Sequence, residues 1–291
     1  VLKRQAEKRT HAVSILLVER QGQHVGVFFD QHPDIFDSYN AVLAATEYSL
    51  VTTKAARNVI KRRAKFLSLP LSTNNGQSML TFDFLKMDVK KSKLTAEVIM
   101  KYLKSSSRIQ IKTDAGTDLT LMKRGRMPGF FNGVTADGGG FSSASIEVYI
   151  PVEECGTNGT MVIDGSLGYI GAAREDTRVV FKEGRIVEIE ETPTGKRLKE
   201  YMEGYHDSGI YVAGELGIGL NSYSQCAGRC YIEDESAYGT FHIGLGRNIA
   251  LGGTHEANGH FDLVAREPNL FADNRQLIQQ GRIIIPEPVF F

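Results

Sequence analysis

The chain has 291 residues, 42% of them hydrophobic, with 34 Lys+Arg against 34 Asp+Glu, 30 Gly, 8 Pro, 3 Cys and no Trp. That composition excludes a disordered, collagen-like or disulfide-scaffolded chain, and at about 150 residues per domain it predicts two domains with ordinary buried cores. No apolar run approaches the roughly 20 residues of a membrane span, and the start Val1-Leu2-Lys3-Arg4-Gln5 lacks a secretory layout, so a soluble cytoplasmic protein is expected.

In chain order, residues 12–18 and 49–52 read as short buried strands, and 34–47, 54–65 and 93–104 as helices. The alternation predicts an α/β layer with a parallel sheet. Lys54 to Lys65 is the densest basic run, but its charges alternate with apolar residues at helical spacing. It reads as a solvated helix face, and with no motif for reading RNA or DNA, no nucleic-acid partner is expected. Residues 1–107 carry 17 Lys+Arg against 9 Asp+Glu, net +8, and 3 Gly; residues 108–291 carry 17 against 25, net −8, and 27 Gly. This double step near Ser105-Ser106-Ser107 predicts an α/β domain over 1–107 and a β-rich domain over 108–291.

Beyond residue 107, β-rich runs at 108–112, 118–121, 146–150, 160–163, 178–181 and 185–189 are separated by glycine-bearing turns, with a hairpin at Lys182-Glu183-Gly184-Arg185. One helix, 193–205, precedes a glycine-rich tail, and His206 reads as a helix-end residue. The run Asp137-Gly138-Gly139-Gly140 reads as a loop, because no Lys-Ser/Thr follows to make a phosphate cradle. Cys226 and Cys230 find no second pair to complete a structural zinc site, and with Cys155 they are expected to be free thiols.

The chemistry concentrates in the tail. In Gly259-His260-Phe261-Asp262, strand alternation puts His260 and Asp262 on one face about 7 Å apart, a pair able to share a metal. His242 lies between Phe241 and Ile243. Glu215 stands alone in Gly214-Glu215-Leu216-Gly217-Ile218-Gly219, and Glu147 alone in Ile146-Glu147-Val148-Tyr149-Ile150. An unpaired carboxylate costs several kcal/mol to bury, so each needs a cation or a metal.

At these residues the chain resembles the metal-dependent aminopeptidases of the aminopeptidase T, or thermophilic leucyl aminopeptidase, type. The likeness runs in order from Gly116-Thr117-Asp118-Leu119-Thr120 through Glu147-Val148, Asn158-Gly159-Thr160-Met161-Val162-Ile163-Asp164, Gly214-Glu215-Leu216-Gly217, Gly239-Thr240-Phe241-His242 and His260-Phe261-Asp262 to Ala272-Asp273. Before residue 108 it is a likeness only in kind. The resemblance implies a homodimeric hydrolase, a metallopeptidase taking N-terminal residues from short peptides. It implies two divalent ions, zinc, cobalt or manganese, held by two Glu, two His, one Tyr and one Asp. Glu147, Glu215, His242, His260 and Asp262 occupy five of those places, and the Tyr place falls on Ile249, which has no donor.

In that reading Glu215 bridges the metals and Glu256, His255 or an unligated Glu147 shuttles the proton. Arg247 would hold the carboxylate of a short peptide or amino-acid-like substrate by a bidentate contact. A related branch, the 2,5-dihydroxypyridine dioxygenases, resembles the chain in the same segments. It binds one iron by two His and one Asp, with a His at the place of Glu215 and an apolar residue at that of His242. The aminopeptidase choice at both places favours the peptidase. The alternative is an iron(II) facial triad of His242, His260 and Asp262 beside Glu215, and a third reading is a metal-binding homologue without turnover.

Overall fold

The computed structural model describes residues 2–10, 12–135 and 141–285, and the glycine run at 137–140 lies outside them. After helix α1 (Leu2–Ala6) no regular element forms among the described residues before residue 22, so the strand expected at 12–18 is absent. Ile15, Leu16 and Leu17 are instead 60%, 52% and 88% exposed. An apolar run becomes a strand only where a sheet edge receives it, and none does here.

Helix α2 (Val25–Gln31) leads to strand β1 (Ala41–Thr46), within the segment 34–47 whose composition predicts a helix. Parallel pairing with β2 (Lys65–Pro70) overrides the helix propensity of its alanines. Residues 49–52 are not a strand: they turn into α3 (Lys54–Lys61), whose N-cap Thr53 accepts a hydrogen bond from the Ala56 amide. Leu50 and Val51 supply apolar burial there without joining a sheet. Arg63, with φ 59°, ends the basic run as a turn into β2. Helix α4 (Val89–Ser105) is capped by Asp88, which accepts from the Lys90 and Lys91 amides.

The rest is strand-rich: β3 (Arg108–Lys112), β4 (Asp118–Met122), β5 (Gly129–Phe131), β6 (Phe141–Ser143), β7 (Glu147–Pro151), β8 (Asn158–Ile163), β9 (Thr177–Lys182) and β10 (Arg185–Ile189). Glu183 and Gly184, at φ 49° and 79°, make the β9–β10 turn, as the primed hairpin turns require. Helix α5 (Pro193–Glu203), strand β11 (Ala213–Gly219), helix α6 (Tyr231–Ser236), β12 (Thr240–Gly246), β13 (His260–Arg266), β14 (Asn269–Ala272), β15 (Arg275–Gln279) and β16 (Arg282–Ile283) follow.

The fold is mixed α/β and mostly sheet. A parallel sheet has the order β1-β2-β6; an antiparallel sheet of eight runs β10-β9-β8-β4-β3-β14-β15-β16; a third, of five, runs β13-β12-β11-β7-β5. The two larger sheets share one core, in which Ile111 and Leu121 meet Val148, Leu216 and Ile243. Helix α4 packs into that same core through Ile99 and Leu103, while β6 joins the small sheet. A single cut at residue 107 therefore separates α4 from its packing partners and β6 from its sheet. A second core joins Phe29 of α2, Val59 of α3 and Phe66 of β2 to Phe131 and Leu251, which ties α2 to the five-stranded sheet. No helix among the described residues is long and apolar enough to cross a membrane.

Candidate metal centre

The five-stranded sheet sorts its side chains by the two-residue period of a strand. Val148, Leu216, Phe241, Ile243 and Leu263 face the core, which leaves Glu147, Glu215, His242, His260 and Asp262 together on the opposite face. A bulge between Ala213 and Glu215 interrupts the β11–β12 register directly before the carboxylate. Register then sets glycine opposite each donor: Glu215 and Asp262 both pair with Gly244, His242 with Gly217, His260 with Gly246 and Glu147 with Gly219. The glycines are what leave room. A Cβ on Gly217 would stand 1.9 Å from His242 Nε2, and one on Gly244 2.8 Å from Asp262 Oδ1.

His260 Nε2 is 3.1 Å from Glu215 Oε2 and 3.4 Å from Asp262 Oδ1, and His242 Nε2 is 3.0 Å from Glu147 Oε2. One donor atom each from Glu215, His260 and Asp262 lies within 4.8 Å of the others, and so does one each from Glu147, Glu215 and His242. Glu215 is common to both sets. The grouping of His242 with His260 and Asp262 does not form. His260 pairs with Gly246 whereas His242 pairs with Val264, so their Cα atoms are offset by about 13 Å along the strands.

Neighbouring groups orient the donors. The carbonyl of Arg247 pairs with His260 Nδ1 at 2.9 Å, which turns Nε2 towards the carboxylates, and Ser145 donates to Glu147 at 2.8 Å. The Tyr231 phenol donates to Asp262 Oδ2. Burial opposes charge on both imidazoles, yet the carboxylates outweigh it: Glu147 and then Asp262 raise His242 to about 9, and Asp262 and then Glu215 raise His260 to about 10. Burial raises Glu215, with His260 opposing. Burial works to raise Asp262 as well, but His260 and His242 hold it well below the usual carboxylate range.

Glu147 Oε2, His242 Nδ1 and Asp262 Oδ1 are buried without a hydrogen-bond partner. Buried polar atoms that the protein leaves unpaired, on a face opened by glycine and rich in oxygen and imidazole donors, fit a divalent first-row cation such as iron(II), manganese or zinc.

Other expected site residues lie elsewhere. His255 Nε2 pairs with the Gly209 carbonyl at 2.8 Å, and exposed Glu256 pairs with Lys54 at 3.0 Å, so neither joins the donor set. The loop between β12 and β13 carries both away from the polar face. Ile249 opens a 3-10 turn on that loop, and Arg247 directs its guanidinium to Asp30 of α2. Cys155, Cys226 and Cys230 are free. Two buried residues escape a reading of the sequence. They are Tyr231 and Glu235, whose carboxyl is pushed well above the usual range by burial and then by Glu147 and Asp262. The run Glu233-Asp234-Glu235 looks like a solvated helix face, and only the burial of α6 distinguishes it.

The model of the family described as NicX, 2,5-dihydroxypyridine 5,6-dioxygenase, matches residues 79–285. The 2,5-dihydroxypyridine 5,6-dioxygenase of Pseudomonas putida KT2440 is 24% identical over 214 residues, 69% of this chain and 60% of that protein. The chain thus spans under two thirds of its relative's length. The solved 2,5-dihydroxypyridine dioxygenase of Pseudomonas putida KT2440 superposes with a TM-score of 0.72 at 18% identity, over 88% of this chain and 75% of that one. Wild-type AmpT from Thermus thermophilus gives 0.52 at 17% identity, over 68% of this chain and 55% of that one. At such identities both structures speak for the fold alone. The family match and the curated relative overturn the expectation of an aminopeptidase, and with it the hydrolase and metallopeptidase reading and the peptide substrate. The retained Glu215 and His242 favour the peptidase only if donor identity outweighs the rest of the sequence, and it does not.

Proposed function

We propose, from the premise that this chain belongs to the 2,5-dihydroxypyridine 5,6-dioxygenase family, that it is an iron(II)-dependent ring-opening dioxygenase. Its substrate class is a hydroxylated nitrogen heteroaromatic of the 2,5-dihydroxypyridine kind. The observation that carries the reading is the convergence of Glu215, His260 and Asp262, with Asp262 Oδ1 unpaired, on the polar face of the sheet.

Those three residues would hold the iron, with one imidazole and two carboxylates as nitrogen and oxygen donors. Iron(II) bound there would supply the one-electron chemistry that a closed-shell ring and dioxygen lack between themselves. The protein supplies position. Arg247 fixes the ring of His260 through its carbonyl, and Tyr231 fixes Asp262 through its phenol. A narrow cleft lined by Tyr48, Tyr169 and Tyr205 reaches His260. His242 Nε2 lies 3.0 Å from Glu147 Oε2 on the same face, and His242 is the group placed to exchange a proton with a substrate hydroxyl.

The test is to load the protein with iron(II) without oxygen, add 2,5-dihydroxypyridine, and admit oxygen while following its uptake and the ring absorbance. One dioxygen consumed per ring opened is expected. Iron retained with no oxygen uptake would leave a metal-binding homologue and sink the reading.

A further inference from the structure

Arg247 is 6% exposed and stands between two spaces. It lines a cavity of about 350 Å³, with Asp30, Lys54, Asp207 and Glu256, and it also lines the narrow cleft that reaches His260. The two spaces share Arg247 and Thr52, so the guanidinium lies on the way from one to the other.

Only one end of that guanidinium is engaged. Nη1 donates to Asp30, while Nε is buried with no partner. A guanidinium presents its N–H groups as forks, and the edge formed by Nε and Nη2 matches the two oxygens of a carboxylate. Leaving a buried donor unpaired is costly, which marks Nε as a group with a ligand to receive. Gly26 of α2 makes room for the guanidinium itself: a Cβ there would stand 1.7 Å from Nη2 and 2.7 Å from Cζ. The main chain of the same residue grips His260 Nδ1, which fixes the fork relative to the donor set.

Gly26, Asp30 and Tyr48 all precede residue 79, where the family match begins. The wall that faces the fork therefore lies outside the residues that the family model matches. From these relations we infer that Arg247 determines substrate specificity by accepting a two-oxygen anion, a ring carboxylate, on a hydroxylated aromatic. The inference rests on the ring-opening reading for its aromatic substrate, and on the fork and the two spaces for its anion.

The test compares two probes that differ only in the carboxylate, 2,5-dihydroxybenzoate and 1,4-dihydroxybenzene, by calorimetry on the iron(II)-loaded protein without oxygen. The first is expected to bind about tenfold tighter or more. Arg247→Met is expected to bring the ratio near one. Arg247→Lys, which keeps the charge beside Asp30 but has no fork, is expected to retain only part of it and covers the case of a Met variant that does not fold. Equal affinity in the unaltered protein, a preference that survives Arg247→Met, or one undiminished in Arg247→Lys overturns the inference. Binding is read without turnover, so a protein that opens 2,5-dihydroxypyridine can still fail this test. One that opens no ring can still pass it.

Discussion

Glu215 on β11 and His260 on β13 come within 3.1 Å of each other although β12 runs between their strands. They meet above Gly244, the one position of β12 at that level, and it carries no side chain. A Cβ at Gly244 would lie 2.8 Å from both Asp262 Oδ1 and Glu215 Cβ, and 2.9 Å from His260 Cε1.

Gly244→Ala is therefore expected to lower iron affinity by about 10–100-fold without removing a donor, since displaced ligands cost that much. Competition with a chelator of known affinity measures it. An Ala variant with unchanged affinity would mean that the donors do not converge over this glycine.

Iron content separates the two donor sets. The unaltered protein is expected to hold near one iron per chain, and His260→Ala and Asp262→Ala to hold none, whereas His242→Ala keeps its iron. Elemental analysis after gel filtration decides this, and full metal in either of the first two variants refutes that residue's part. Uptake at pH 7.5 should release protons, because the metal-free protein raises His260 to about 10 and a ligating imidazole must be neutral.

Tyr231 acts on the donor set through Asp262. Tyr231→Phe keeps the stack on Tyr169, whose ring centroid is 4.1 Å away, and deletes the phenol that donates to Asp262 Oδ2. A loss of about 10–100-fold in iron affinity with little change in melting temperature is expected. A drop in melting temperature with affinity intact would assign Tyr231 to packing instead.

Asp234 gives a pH dependence away from the donors. Burial raises its carboxyl to about 6, and Oδ2 has no partner although Oδ1 accepts from the Ala227 and Gly228 amides. A folded pKa above the unfolded one favours the folded state while the group is protonated. That contribution is complete below about pH 4 and is lost as pH rises through about 6. Asp234→Asn is thus expected to raise stability at pH 8 by on the order of 1–3 kcal/mol, with the gain shrinking towards pH 5. Denaturant titrations at both pH values test it, and a gain that is equal at the two would exclude ionisation as the cause.

Much of the second half was legible residue by residue. The runs at 108–112 and 185–189 match β3 and β10 end to end, because alternation and a Glu-Gly turn are local signals. The first half was less so. The alanines of 41–46 carry helix propensity, and only the presence of β2 as a parallel neighbour makes them strand. The apolar run 12–18 lacks such a neighbour and stays exposed.

The donors divide in the same way. Glu147, Glu215, His242, His260 and Asp262 stood out as polar residues within apolar strands, a contrast that burial makes costly and that any reader of the chain can find. Their number and kind also suggested a peptidase, which the family match overturned, because one ligand chemistry serves several reactions. His255 and Glu256 sit close to His260 in sequence yet turn away, whereas Tyr231 and Glu235 reach the site from a helix with no sequence mark.

What the amino-acid sequence determined by itself was which side chains share a face, since a strand's period of two is set by each residue's own backbone. Which of them touch was decided only by tertiary structure: strand register puts Gly244 between Glu215 and Asp262, and packing of α2 brings Asp30 to Arg247. Register and packing depend on partners far along the chain, so no local pattern encodes them.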